Sequence, residues 1–296
     1  MIRFLVDQSG LPRFARNDRL LFCNYAKRKN IFIINHLPVG TYLGQNFLTD
    51  SKIRHYLGDK IKQIYEKSWC EVLIEIWPGK WSLTRLIHDI CPEFFVIERD
   101  DKLVADGKLK VEWLENVRVI HADVLDVDVN AELKKRWQEA NKTLVVGNLP
   151  YYITSPILRK FFGEGQQDYV GGVFMVQKEV ADKLCTDGTK KSYLWWIINF
   201  AYDVIYLKTV PAKAFSPAPK VTSALIELRR KEEKPKIDFI KFVSFLEDFA
   251  PYSRKTLRSI ATMLKKKKNK ERHIPKELEG ERLEKLGWWD IWEILR

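Results

Sequence analysis

The chain has few residues from which a disulfide scaffold or a metal site could be built. Four cysteines, Cys23, Cys70, Cys91 and Cys185, are scattered over 296 residues with no C-x-x-C pair, which argues against a disulfide framework or a zinc module and makes a reducing compartment the default. The five histidines, His36, His55, His88, His121 and His273, share no spacing that suits metal ligation or a catalytic base, so no metal is expected. No apolar run reaches the roughly 18 residues that cross a bilayer. The N-terminus lacks a secretory h-region with its cleavage site. Its arginines would suit an organellar transit peptide, against which Asp7, Asp18 and the single Ser9 weigh. A cytoplasmic protein with no membrane partner is expected, an organelle being the alternative.

Positive charge is plentiful, and its placement is informative. Lys and Arg number 51 against 39 Asp and Glu, for a net charge of +12. Residues 1–42 hold seven basic and two acidic side chains, and residues 229–296 hold nineteen and twelve. The stretch between them holds 25 of each. A neutral body with basic ends suits a catalytic domain with flanks that hold a polyanion, chiefly nucleic acid, through counterion release.

From about residue 70, short, continuously apolar and β-branched runs alternate with helix-like stretches. Glu71–Ile76, Phe94–Ile97, Val117–His121, Thr143–Val146 and Gly172–Gln177 read as strands covered on both faces. Ser82–Ile90 and Ala131–Ala140 carry helical spacing between them. The alternation predicts an α/β fold with a mainly parallel sheet and helices on both sides. Further strands are expected at Asp203–Val210 and Ser223–Arg229, with a rigid two-proline loop at Phe215–Val221. After the charged linker 231–236 the pattern turns helical, at Ile237–Ala250, Lys255–Leu264 and Leu283–Leu295, with a basic tract at Lys265–Lys270. A domain boundary is expected near 232. Trp288, Trp289 and Trp292 are read as the core of the last helix rather than a base-stacking platform. Lys265–Lys270 could be either a phosphate contact or a solvated face.

Candidate chemistry gathers where strands end. Glu75 to Thr84 (E-I-W-P-G-K-W-S-L-T) is a strand, a Pro-Gly turn at Gly79 and a helix, the arrangement that brings backbone amides to a ligand at a sheet's carboxyl edge. About twenty residues on, Glu98 ends the next strand, placed to accept hydrogen bonds from the ribose hydroxyls of a nucleoside cofactor. Asp123 follows the third strand, where it can receive an adenine amine. The fourth runs into Asn148-Leu149-Pro150-Tyr151. An adenine's exocyclic amine is conjugated and poorly nucleophilic. An Asn oxygen and a neighbouring carbonyl held by proline can accept its two N–H bonds and aim its lone pair, while an aromatic ring stacks on the extruded base.

Together with these, Leu43-Gly44-Gln45-Asn46-Phe47-Leu48, Asn148 to Leu158 (N-L-P-Y-Y-I-T-S-P-I-L), Gln177 to Ala181 (Q-K-E-V-A), Phe215 to Val221 (F-S-P-A-P-K-V) and Arg254 to Arg258 (R-K-T-L-R) resemble, in order, the motifs of the ribosomal RNA adenine dimethyltransferases. The resemblance implies an S-adenosylmethionine-binding, Rossmann-like domain over 43–231 with a seven-stranded sheet. It also implies a small all-helical C-terminal domain over 232–296, with 1–42 as a basic extension. The implied activity is N6,N6-dimethylation of adjacent adenines near the 3′ end of small-subunit rRNA, on the immature small ribosomal subunit. A monomeric enzyme is implied, with no metal and no covalent enzyme intermediate. By matching position, Asn46, Leu48, Gly79, Glu98, Asp123 and Asn148 would contact the cofactor. Asn148 would also meet the target amine, with Tyr151 and Phe215 as stacking walls. Methyltransferases that act on large-subunit rRNA share the Asn-Leu-Pro-Tyr type of site, but the Arg254–Arg258 segment and the proline-rich loop look more like the small-subunit enzymes.

The sequence departs from the family pattern E-x-G-P-G-x-G-x-L-T by placing Trp77 and Trp81 where glycines are expected. Left-handed backbone at such a position would cost about 1–3 kcal/mol. These two residues motivate an alternative, a non-catalytic rRNA-binding assembly or transcription factor with an impaired cofactor site. The stretch Ser192-Tyr193-Leu194-Trp195-Trp196 is likewise bulkier than the family's small, Gly- and Ser-containing segment.

Overall fold

The computed structural model describes residues 46–296 except 112–113, 137–138, 164–168 and 187–189, and only the backbone of 107–110 and 268. The extension 1–42, the Leu43-Gly44-Gln45 start of the opening motif and Cys23 lie outside the described residues.

Two strands, β1 (Phe47–Leu48) and β8 (Phe215–Ser216), form a small antiparallel ladder. Seven others build the main sheet: β2 (Val72–Ile76), β3 (Glu93–Glu98), β4 (Val117–His121), β5 (Thr143–Asn148), β6 (Gly171–Gln177), β7 (Tyr202–Val210) and β9 (Ser223–Arg230). Their order is β4-β3-β2-β5-β6-β9-β7. The first five are mutually parallel, and β9 runs antiparallel to both neighbours. Every residue of β2 is buried, as expected for a strand with helices on both faces. The mainly parallel sheet expected from the alternating runs is present.

The helices are α1 (Ser51–Lys67), α2 (Thr84–Ile87), α3 (Asp101–Val111), α4 (Val129–Lys134), α5 (Thr154–Phe162), α6 (Lys178–Leu184), α7 (Tyr193–Asn199), α8 (Phe239–Phe249), α9 (Leu257–Lys268) and α10 (Trp288–Leu295). Asp50 caps α1 by accepting the Ile53 amide at 3.0 Å, and Ile53, Leu57, Ile61 and Tyr65 are buried along one side. Three helices are shorter than their spacing predicts. Ser82–Ile90 contains only α2 and a 3₁₀ turn at His88–Ile90, because the turn through Trp81 delays the helix start. In place of Ala131–Ala140 there is α4, which starts earlier under the Asp128 cap and buries only Val129 and Leu133. Leu283–Leu295 breaks at Gly287, whose amide donates to Asp290 Oδ2 at 2.6 Å as the cap of α10. The loop expected at Phe215–Val221 gives its first two residues to β8.

The buried side chains form two groups around which the chain folds. One lies against the sheet and includes Leu57, Leu73, Phe94, Leu144 and Met175. The other joins α8, α9 and α10 to Trp195, Trp196 and Phe200, so α7 contributes to the core of the helical region. There the bulk of Trp195-Trp196 has a purpose. Trp288 stacks on Trp195 with centroids 6.1 Å apart and meets Trp196 edge-on at 4.9 Å. Trp288 thus joins the core, whereas Trp289 is 70% exposed and stacks on Trp292.

Left-handed backbone recurs at tryptophan. Trp69, Trp77 and Trp81 have φ of 53°, 59° and 62°. Trp69 follows the Ser68 cap of α1 and is 88% exposed, at a place where helices usually end on glycine. Little packing is lost there, so Trp69→Gly is expected to stabilise the protein by about 1 kcal/mol in urea denaturation. An unchanged or lower midpoint would show that the indole contributes more than the backbone strain removes.

Candidate active site

Strand register lines up the residues at the carboxyl edge of the sheet. Ile76 pairs with Ile97 on one side and Gly147 on the other, so the next residues, Glu98, Trp77 and Asn148, stand in one row. The β1–β8 ladder closes over this edge. Thr49 and Asp50 amides both donate to Ala214 O, at 2.8 and 3.1 Å, and the Asn148 side-chain amide donates to Asn46 O at 2.9 Å. Because a carbonyl can only accept, that contact fixes the Asn148 amide with its oxygen turned the other way.

A cavity of 290 Å³ opens here, lined among others by Asn46, Leu48, Gly79, Glu98, Asn148 and Tyr151. That is at the small end for a ligand site. Gly79 has φ +57°, and a Cβ on it would stand 2.9 Å from the Phe47 ring. Of the sequence-expected site residues, Asp123 and Phe215 do not line the cavity. Asp123 accepts the Leu125 amide at 2.9 Å and the Arg99 guanidinium at 2.8 Å. Phe215 is 4% exposed and belongs to the core against the sheet.

Trp77 and Trp81 take different roles. Trp81 is fully buried and donates its Nε1 to Leu103 O at 3.0 Å, which ties the turn to α3 and keeps the indole away from the cavity. Trp77 remains at the cavity wall, 8% exposed and edge-on to Tyr152. The indoles therefore narrow the site without closing it.

Glu98 tests whether a nucleoside fits. Its Oε1 accepts the Arg99 and Asp100 amides at 2.8 and 2.9 Å, while Oε2 is buried with no hydrogen-bond partner among the described residues. Burial raises its pKa, and the neighbouring amides oppose that shift. An unfilled acceptor at the cavity wall matches the vicinal hydroxyls of a ribose. At the Asn148 end, Pro150 O is occupied by the Ile153 amide and the Thr154 hydroxyl. The Leu149 carbonyl, just before the proline ring, makes no hydrogen bond to the described residues. It is next to Asn148 in the chain, and the sequence did not single it out. Tyr151 is held by a hydrogen bond between its hydroxyl and that of Ser223, and burial raises its pKa. Arg99 and Tyr152, beside Asp123 and Trp77, were given no role from the sequence, although Tyr152 falls within the quoted Asn148–Leu158 segment.

Glu75 lies behind this row, 2% exposed, accepting the Thr84 hydroxyl at 2.6 Å. Burial pushes its pKa up to about 8, with Thr84 opposing and Glu98 adding to the shift. Unfolded, it titrates near 4.5. Between those values the folded state keeps a proton that the unfolded state has lost, so stability falls as pH rises through the window. Glu75→Gln is expected to flatten that decline when urea denaturation is compared at pH 5, 7 and 9. Parallel curves for the two proteins would assign the decline to other groups.

Known proteins resemble this chain over most of its length. The model of the family described as "Ribosomal RNA adenine dimethylase" matches residues 39–295. A "Ribosomal RNA small subunit methyltransferase A" from Chlorobium limicola is 34% identical over 262 residues, covering 88% of this chain and 93% of the relative. One from Geobacillus thermodenitrificans is 32% identical, covering 80% and 81%. Among solved structures, a dimethyladenosine transferase from Plasmodium falciparum shares the fold, with a TM-score of 0.66 at 20% identity over 84% of this chain and 95% of that one. The 23S rRNA methyltransferase ErmE does so with a TM-score of 0.57 at 23% identity, over 84% and 99%. With the family model spanning nearly all of the described fold and its strand-end site, the chain belongs to the ribosomal RNA adenine dimethylase family.

Proposed function

We propose that this protein is an S-adenosylmethionine-dependent rRNA adenine N6,N6-dimethyltransferase. It modifies adjacent adenines near the 3′ end of small-subunit rRNA, acting as a cytoplasmic monomer on the immature small subunit. The observation that carries this reading is the Asn148 amide at the cavity wall, held by its Nδ2 donating to Asn46 O so that its oxygen faces away from that carbonyl.

The cofactor, when bound, supplies an electrophilic methyl carbon on a sulfonium. Glu98 would hold its ribose through the unfilled Oε2, Asp123 would meet its adenine, and Asn46, Leu48 and Gly79 would wall its loop. Asn148 Oδ1 and the Leu149 carbonyl accept the two N–H bonds of the target amine, which turns the nitrogen lone pair toward the cavity. Tyr151 supplies a stacking face for the extruded base, whereas Phe215, packed in the core, would have to swing out to serve as the second wall that the resemblance implies. As the nitrogen–carbon bond forms, the carbon–sulfur bond would break and S-adenosylhomocysteine would leave; the methylated nitrogen, then cationic and acidic, would shed its proton to water, which leaves the histidines no step to perform. The monomethylated amine retains one N–H for the second round.

The basic C-terminal region supports an RNA substrate, although its own acids neutralise part of it. Lys265 pairs with Glu271 and Lys270 with Asp248, each at 2.7 Å, leaving Lys266 and Lys267 exposed at the end of α9. No helix among the described residues is long and apolar enough to cross a membrane.

The test is incubation with methyl-labelled cofactor and unmethylated small subunits, followed by nucleoside analysis and mapping of the modified positions. Label in N6,N6-dimethyladenosine near the 3′ end of the small-subunit rRNA is expected. Label in large-subunit rRNA alone would reassign the substrate, and none in adenine from a folded protein would refute the activity.

A further inference from the structure

Seven buried side-chain nitrogen and oxygen atoms have no hydrogen-bond partner among the described residues, and three of them belong to residues that line the strand-end cavity: Arg54 Nε, Trp77 Nε1 and Glu98 Oε2. Buried polar groups are nearly always paired, so a cluster of orphans around a hollow marks missing ligand atoms. The three are chemically distinct. Glu98 Oε2 is an acceptor, whereas a guanidinium N–H and an indole N–H can only donate. A ligand that satisfies all three offers donors to Glu98 and acceptors to Arg54 and Trp77, and the positive guanidinium favours an anionic acceptor.

We propose that Arg54 and Trp77 form the subsite that recognises the carboxylate on the amino-acid end of the methyl donor. The inference rests on the proposed function and adds residues to it. Arg54 lies in the first turn of α1, the helix that directly follows the β1 segment, and Trp77 stands between Glu98 and Asn148 in the strand-end row. A fixed guanidinium repels the sulfonium and attracts the carboxylate, so this pair takes the anionic end and leaves the cationic centre for the Asn148 side. Lys80 and Arg85 also border the cavity, but both are exposed, and the Lys80 ammonium lies over the Phe47 ring. The indole at 77, which looks like an obstruction when compared with glycine, then contributes a donor that glycine's side chain lacks.

The test is calorimetry on the full chain with three ligands: S-adenosylmethionine, its decarboxylated analogue and 5′-methylthioadenosine, which lacks the amino-acid end. The wild type is expected to prefer the carboxylated over the decarboxylated ligand by about 10- to 100-fold. Arg54→Met should abolish that preference while leaving 5′-methylthioadenosine binding unchanged, and Arg54→Lys should restore part of it. Trp77→Phe, which keeps an aromatic ring without the N–H, should reduce the preference by a smaller factor. Equal weakening of all three ligands in Arg54→Met, or a wild type indifferent to the carboxylate, would overturn the subsite while leaving the cofactor reading intact. Failure of the wild type to bind any of the three would overturn both.

Discussion

Replacing Asn148 by Ala is expected to lower kcat for methyl transfer by about 10²–10³-fold while changing cofactor affinity only a few-fold. The reason is geometric. The side chain is anchored by Nδ2 donating to Asn46 O, which fixes the direction in which Oδ1 points. Alanine removes the acceptor that orients the amine and leaves Asn46 O without its donor, but it leaves Glu98 and the cavity walls in place. Asn148→Asp is a sharper probe. It retains one acceptor oxygen but turns a second toward Asn46 O, where two acceptors repel, so an intermediate loss is expected. Single-turnover rates and calorimetric affinities measured on the same samples separate the effects. Activity within about ten-fold of wild type for Asn148→Ala would remove the residue from the chemistry.

The second large effect concerns Trp81. It is fully buried, bonded to Leu103 O and held at φ +62°. Trp81→Ala is expected to cost about 3–5 kcal/mol in urea denaturation, through the hole left under the sheet and the lost indole hydrogen bond to Leu103 O. Trp81→Gly deletes the same indole but reaches left-handed backbone without a Cβ clash, so it should be less damaging than Ala by about 1 kcal/mol. That ordering is unusual, since glycine normally destabilises more than alanine. Finding Ala the more stable of the two would mean that strain at this turn is relieved in some other way. A loss below about 1 kcal/mol for both would mean that the indole is not part of the core.

The strands were readable because each is a short, unbroken apolar run, and burial on both faces demands that composition. From their order followed the edge at which Glu98, Trp77 and Asn148 meet. Helices were less legible. In α1 the apolar residues Ile53, Tyr56, Leu57, Ile61, Ile64 and Tyr65 recur at helical spacing and pack on the core, with lysines and acids between them diluting the signal. The β1–β8 ladder pairs only two residues with two, and no periodicity can be read from so few. Sequence signalled the glycine-to-tryptophan replacements at 77 and 81, but not that the two indoles would diverge, one into the core and one along the cavity. Arg54 was invisible for a different reason. A basic residue in a polar helix looks solvated, and only the fold reveals that its Nε is buried at a cavity wall.

The most direct test of the whole reading is calorimetric titration of the wild-type protein with S-adenosylmethionine. One-to-one binding is expected, with Kd in the range of about 1 µM to 1 mM that is usual for enzyme substrates. Absence of any heat of binding at several millimolar cofactor, from protein shown to be folded, would contradict it.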